Sequence, residues 1–153
     1  MVPKLEPSLS QPVAKANIEL PPEVIDDQLV TETVSDLELT ALVFDLVFYY
    51  ETGDLDGFSA LFAENAVADG MNGVTKIRKD YQRLFQSTDL RQMRVEEMRW
   101  QHGADRSSGS GEFFVSVWRD VGGEPFVQQG RLNIELVRSG DKLLVTRMNH
   151  KID

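Results

Sequence analysis

Cysteine is absent from this chain of 153 residues, so neither a disulfide nor a thiolate nucleophile can be part of its chemistry. Histidine is scarce, and the spacing of His102 and His150 is unlike that of a metal site. No apolar run approaches the roughly 20 residues of a membrane-spanning helix. The first residues also lack the apolar segment of a secretory signal. We therefore expect no membrane span in this chain. The sequence does not determine the compartment, which would be the cytoplasm, or the periplasm if the chain is cut from a larger envelope protein.

Basic clusters that could bind nucleic acid are also lacking. The net charge is −9, of which residues 1–40 contribute −6. A phosphate backbone would be repelled by such a segment, so we expect no nucleic-acid partner. Gly109 and Gly111 lie between predicted strands and lack the strand-turn-helix context of a phosphate-binding loop. We therefore expect no cofactor.

Proline is concentrated at one end, because five of the six prolines fall within residues 1–30. Proline removes hydrogen-bond donors and restricts its neighbours, which favours extended chain. The sequence therefore predicts a Pro-rich acidic linker or tail over residues 1–34 and a folded domain over residues 35–153.

The folded part is predicted to begin with helices. Ser35 and Glu38 have the spacing of a capping box, and apolar residues then recur at helical spacing as far as Tyr50. Gly53 is a typical helix stop, and Asp54 can cap a second short helix. A third helix is predicted to start near Gly73, after a short strand over residues 66–69.

After Arg91 the apolar residues alternate, as they do in strands. Four strands are predicted, over residues 93–102, 112–121, 126–137 and 142–152. The Gly- and Ser-rich residues 105–111 are interpreted as one of the turns between them. Helices followed by an antiparallel meander indicate an α+β fold. In the first long strand the inward parity changes at Glu96 and Glu97, which predicts a β-bulge and a bent sheet.

The stretch Gly53–Asp69, which reads GDLDGFSALFAENAVAD, resembles the nuclear transport factor 2-like superfamily, including its SnoaL-like and ketosteroid isomerase-like members. The resemblance covers about residues 36–152. It implies a cystatin-like cone, in which a curved antiparallel sheet is wrapped by about three N-terminal helices around a pocket. Residues Tyr81–Trp100 also resemble accessory domains at the C-terminal end of bacterial envelope proteins.

The resemblance also locates the family's catalytic groups, and this chain departs from them. The position of the general base falls on Gly70, with Asp69 one residue early, and a one-residue shift reverses the facing in a strand. The position of the catalytic tyrosine falls on Leu46, and that of the late-strand acid falls near Leu132 or Asn133. Isomerase chemistry is therefore disfavoured. An alternative catalytic set is Asp69 with His102 and His150. The other interpretation of the two histidines is that they lie, partly solvated, at strand ends.

A ligand-binding pocket is predicted from inward parity. Its expected lining is Leu46, Tyr50, Trp100, Phe114, Trp118, Gln128 and Met148. The alternative for the same residues is ordinary core packing, which sequence alone does not separate from a pocket.

Three functions follow as hypotheses. The first is a non-catalytic accessory domain that binds a partner protein or a small apolar ligand in or beside the cone. The second is a small-molecule isomerase, cyclase or hydrolase that uses Asp69 as general base. The third is a homodimerisation module that pairs through its sheet.

Overall fold

The computed structural model of the protein describes residues 34–153. The predicted tail lies outside the described residues except for Val34, which is 1% exposed and belongs to the core. No helix within residues 34–153 is long and apolar enough to cross a membrane.

Helix α1 (Asp36–Thr52) begins and ends as its sequence predicts. The backbone N–H of Glu38 donates to the Ser35 hydroxyl, and the Glu38 carboxylate accepts from the backbone N–H of Ser35. Gly53 ends the helix with a φ of 73°, in the left-handed region that glycine enters without strain. The inward side chains of α1 are Leu39, Leu42, Leu46 and Tyr50, all of them buried.

Two helices and six strands follow α1. They are α2 (Leu55–Ala60), β1 (Phe62–Ala68), β2 (Met71–Asn72), α3 (Val74–Ser87), β3 (Leu90–His102), β4 (Arg106–Trp118), β5 (Phe126–Ser139) and β6 (Lys142–Ile152). The strands form one sheet in the order β2-β1-β6-β5-β4-β3, which does not close. Strands β3 to β6 are an antiparallel meander, and β1 joins β6 in parallel. The α+β class predicted from the sequence is confirmed.

The bulge predicted in β3 is present. Glu96 pairs with Glu112 and Arg99 pairs with Ser110, so two residues of β3 face the single residue Gly111. Glu97, the extra residue, has a φ of 56°. A bulge bends its strand and increases the local twist, and this bend turns one face of the sheet towards the helices.

The Gly- and Ser-rich stretch is a strand, so its interpretation as a turn was wrong. Strand β4 already begins at Arg106. Its glycines occupy positions at which a side chain would lie on the helix side of the sheet. A Cβ on Gly109 would collide with the Trp100 ring, and one on Gly111 would collide with Met98. Glycine is needed at both positions because large side chains of β3 lie across them.

An aromatic cluster fills the space between the helices and the inner face, which we define as the sheet face turned towards α1 and α3. Phe58 lies at its centre, with its ring centroid 4.4 Å from that of Tyr81 and 5.4 Å from that of Phe62. Tyr50 and Phe85 complete the cluster at centroid distances of about 6 Å from Phe58.

Arg91 fastens the C-terminal end of α1 to the sheet. Its side chain is buried, and its Nε donates to the backbone carbonyl of Tyr50 at 2.9 Å. Its Nη1 donates to the Thr88 hydroxyl at 2.6 Å, and its Cζ lies 4.9 Å from the centroid of the Phe85 ring. The guanidinium therefore satisfies a carbonyl that α1 itself leaves without a partner, and it places positive charge at the negative end of the helix dipole.

We predict that Arg91→Met lowers the free energy of unfolding by about 2–3 kcal/mol, because the buried carbonyl of Tyr50 loses its donor. Urea unfolding followed by circular dichroism would measure the loss. The matched control is Arg94→Met, whose side chain is 62% exposed and should contribute less than about 1 kcal/mol. Equal losses in the two variants would contradict the anchoring role of Arg91.

Candidate functional site

Asp69 lies in a turn rather than in a strand. Strand β1 ends at Ala68 and β2 begins at Met71, which leaves Asp69 and Gly70 as a two-residue hairpin loop. Their φ angles are 48° and 84°, and positive values at both positions are typical of a type I′ turn with the sequence Asp-Gly. The expectation that strand parity turns Asp69 away from the inner face was therefore wrong, because parity does not apply to a turn residue.

The turn directs the Asp69 carboxylate onto β6. Its Oδ2 lies 2.8 Å from Nδ1 of His150, and its Oδ1 accepts from the backbone N–H of His150 at 2.6 Å. The backbone N–H of Asp69 donates to the carbonyl of Met148 at 3.0 Å. These three contacts make one clamp between the β1–β2 turn and β6, which we call the Asp69–His150 clamp.

The electrostatics of the clamp make Asp69 a poor general base. Burial raises the pKa of Asp69. The hydrogen bonds from His150 and its charge together lower the pKa by more than burial raises it, so the pKa lies below its ordinary value. The carboxylate is ionised at neutral pH, and both of its oxygens accept from His150. It holds the proton of His150 on Nδ1, which leaves Nε2 as the nitrogen able to exchange a proton with another molecule.

The aromatic residues Phe113 and Tyr81 lie near the clamp. The rings of Phe113 and His150 meet edge to face with centroids 4.8 Å apart. Burial and the charge of Asp69 raise the pKa of Tyr81. Burial also raises the pKa of Tyr50 to about 12, although the Arg91 charge opposes the shift. Both phenols are thus protonated hydrogen-bond donors at neutral pH. Tyr81 and Phe113 were absent from the predicted site, and the signal for Tyr81 was its place on the inward face of the third helix.

Three residues of the predicted pocket lining belong to the packed core. Leu46 is 1% exposed, Tyr50 5% and Met148 1%. Trp100 lies on the same inner face, over Gly109, and Gln128 has an inner-face register opposite Val115. Burial of the three core side chains agrees with the alternative of ordinary core packing, and ligand binding by the whole set stays a prediction.

The expected facing of Phe114 and Trp118 was wrong. Residues paired across strands share a face, and Phe113, 1% exposed, is the inward residue of this segment. Its neighbour Phe114 therefore faces outward, where the Cζ of Arg94 lies 4.4 Å from the ring centroid, and Trp118 shares that parity. Adjacent phenylalanines give no sequence signal for which of them is inward.

The second histidine, His102, also pairs with an aspartate. Nε2 of His102, near the end of β3, lies 2.7 Å from Oδ1 of Asp36 in the first turn of α1. The two side chains are 34% and 81% exposed. Three strand spacings, or about 14 Å, separate β3 from β6 in the sheet, so His102 does not join His150 in one site. Within residues 34–153, no three His, Cys, Asp or Glu side chains are grouped so that they could hold a metal ion.

Comparison with known proteins places this geometry in a family. The profile of the SnoaL-like domain matches residues 32–149. A comparison with curated proteins finds no match.

Solved structures with the same fold share little sequence with this chain. A Novosphingobium aromaticivorans protein, provisionally assigned as a scytalone dehydratase, has a TM-score of 0.72 and 10% identity over 76% of this chain and 83% of its own. A Nostoc punctiforme protein of unknown function, described as having a cystatin-like fold, has a TM-score of 0.65 and 13% identity over 76% and 90%. Bd1075 of Bdellovibrio bacteriovorus has a TM-score of 0.67 and 16% identity over 76% of this chain but 40% of its own. These similarities show that the chain shares the fold of those structures.

We predict that Asp69→Asn lowers the free energy of unfolding at pH 7 by about 1 kcal/mol, the scale of a charge-assisted hydrogen bond that is partly exposed. Asparagine keeps the left-handed turn, so the change isolates the charge. A lowered pKa in the folded state stabilises the protein above the ordinary value of 3.8, and this contribution is lost as the pH falls below it. The difference between wild type and variant should therefore be full at pH 6–7 and shrink at pH 3.

Urea unfolding at several pH values would measure this difference. Asp36→Asn is the matched control, because Asp36 also pairs with a histidine but is mostly exposed and should contribute less. A difference for Asp69→Asn that is absent at pH 7, or that persists unchanged at pH 3, would contradict the clamp.

Proposed function

Because this chain belongs to the SnoaL-like domain family of the nuclear transport factor 2-like superfamily, we propose that it is a non-catalytic accessory domain that binds a partner protein or a small ligand on its surface. The observation that carries the proposal is the filled interior of the cone. A substrate that approached His150 through the interior of the cone would need the volume that core side chains occupy.

Packing energetics support a closed interior. Leu46, Met148 and Phe58 are each 1% exposed, and the Tyr81 ring is in contact with Phe58. Displacing one such side chain to admit a substrate would cost several kcal/mol, on the scale of truncating a core residue. The depressions of 320–540 Å³ on the described surface have neither Phe58 and Tyr81 nor the two residues of the clamp in their lining.

The clamp has a structural role that does not require catalysis. Asp69 uses both carboxylate oxygens on one residue, His150, and thereby ties the β1–β2 turn to β6. A carboxylate placed only to orient a catalytic histidine would not need the additional bond to the backbone N–H.

The outer face of α1 supports a protein partner. Three large apolar side chains lie there at helical spacing: Leu37 is 79% exposed, Phe44 69% and Phe48 49%. Exposed apolar patches of this kind are typical of interaction surfaces. Asp36 and Asp45 lie on the same helix, and the chain carries a net charge of −9, so the partner surface that fits is apolar with basic residues at its edge.

Likeness to longer proteins supports an accessory role. The region of Bd1075 that matches this chain is 40% of that protein, so the fold occurs there as one part of a longer chain. Homodimerisation through the sheet remains a proposal, which sedimentation equilibrium would test.

A second candidate is an acid–base enzyme, which the Asp69–His150 pair favours. In that case Nε2 of His150 would take a proton beside a carbonyl group, and the protonated Tyr81 would donate to the carbonyl oxygen. One solved structure of the same fold is provisionally assigned as a dehydratase. Asp69 would then orient His150 and would not itself be the base.

One experiment separates the two candidates. We expect wild type and His150→Gln to leave the rate of water elimination from a panel of β-hydroxy ketones at the buffer rate, because no substrate reaches Nε2. Enone absorbance would measure the rate. A wild-type rate at least about tenfold above buffer that is lost in folded His150→Gln, but kept in His102→Gln, would overturn the proposal and favour the enzyme.

A further inference from the structure

The outer face of the sheet, which is turned away from α1 and α3, carries a depression of about 540 Å³ that crosses β3, β4, β5 and β6. It lies on the opposite side of the sheet from the Asp69–His150 clamp. Whatever the clamp does, this depression is a separate feature with its own chemistry.

The first row of outward side chains in the depression follows the strand register. Arg99 pairs with Ser110, Ser110 with Asn133, and Asn133 with Asn149. One guanidinium, one hydroxyl and two amides are therefore aligned across four strands. Amide side chains both donate and accept hydrogen bonds. This row can therefore donate to the hydroxyl groups of a ligand and accept from them.

The second row lies two residues further along each strand and runs parallel to the first. Gln101 pairs with Ser108, Ser108 with Glu135, and Glu135 with Arg147. Nε of Arg147 lies 4.0 Å from Oε1 of Glu135, at the limit of an ion pair. The Arg147 side chain is 50% exposed, so this loose pairing leaves its guanidinium able to bind another anion.

Short side chains make the centre of the depression low. Ser108 and Ser110 are the residues of β4 whose side chains face outward in the depression, and Gly109 between them has no side chain. The same Ser-Gly alternation that accommodates Trp100 on the inner face thus opens a groove on the outer face.

The lining of this groove carries a small net positive charge. Arg99 and Arg147 outweigh Glu135, which gives the lining a local charge of +1 on a protein of net charge −9. The arginines lie on β3 and β6, about 14 Å apart by strand spacing. The outward side chains of both rows are polar, and Trp100 and Ile134 add apolar surface to the lining.

We propose that this groove binds an acidic oligosaccharide. Such a ligand is elongated, offers hydroxyl groups to the serines and amides of the two rows, and carries carboxylates that pair with Arg99 and Arg147. Guanidinium groups bind carboxylates through two parallel hydrogen bonds, so the arginines at the two ends of the groove fix the ligand across the strands.

The test is a titration of the full chain with trigalacturonate at low ionic strength, followed by amide chemical shifts in NMR spectra. We expect shifts at residues 99–101, 108–110, 133–135 and 147–149. Arg99→Gln and Arg147→Gln should each weaken binding by about threefold or more. Arg131→Gln is the matched control, since Arg131 is an exposed arginine of the same sheet, on β5, but lies outside the groove, and this variant should bind as wild type does.

The outcomes separate ligand classes. Equal binding of the uncharged maltotriose would overturn the role of the two arginines, and equal binding of triglutamate would overturn the assignment to a saccharide. Absence of shifts at the groove up to about 20 mM trigalacturonate would overturn the site itself. None of these results depends on whether His150 supports turnover, which the ketone assay measures separately.

Discussion

The bend of β3 at Glu97 is the constraint on which the rest of the structure depends. Strands β3, β4 and β5 each have at least 13 residues, and strands of this length would leave part of a helix layer uncovered if they ran straight. The extra residue bends β3, and the hydrogen-bonded neighbours follow, so the inner face encloses α1 and α3. The anchoring of α1 by Arg91 and the aromatic cluster around Phe58 both lie on this inner side of the sheet.

How the enclosed volume is used decides what the molecule can do. In this chain the side chains of Tyr50, Tyr81 and Met148 are buried in it and occupy volume that a ligand would need. A close-packed interior stabilises the domain but leaves little room for a substrate. The two binding surfaces that we propose therefore lie on the outside: the apolar stripe of α1 around Phe44 and the polar groove between Arg99 and Arg147.

Much of the fold was predictable from local signals. Ser35 and Glu38 form the expected capping box, Gly53 ends α1, and the parity change at Glu97 marks the bulge. The candidate site was less predictable, because its contacts join residues far apart in sequence. Asp69 and His150 are 81 positions apart, and their pairing depends on the parallel register of β1 with β6. Phe113 and Phe114 are adjacent and alike, so only the sheet register shows which of them is inward.

The sequence by itself determined the order of the three helices and of every strand except the two-residue β2, the bend of the sheet and the absence of thiol chemistry. These follow from periodicity, capping residues and composition, which act over a few neighbouring positions. Tertiary structure alone decided that Asp69 clamps His150, that Gly109 lies beneath Trp100, and that polar residues of four strands share one groove. Each of these depends on which residues of different strands become neighbours, and that register is set by the packing of the whole sheet against its helices.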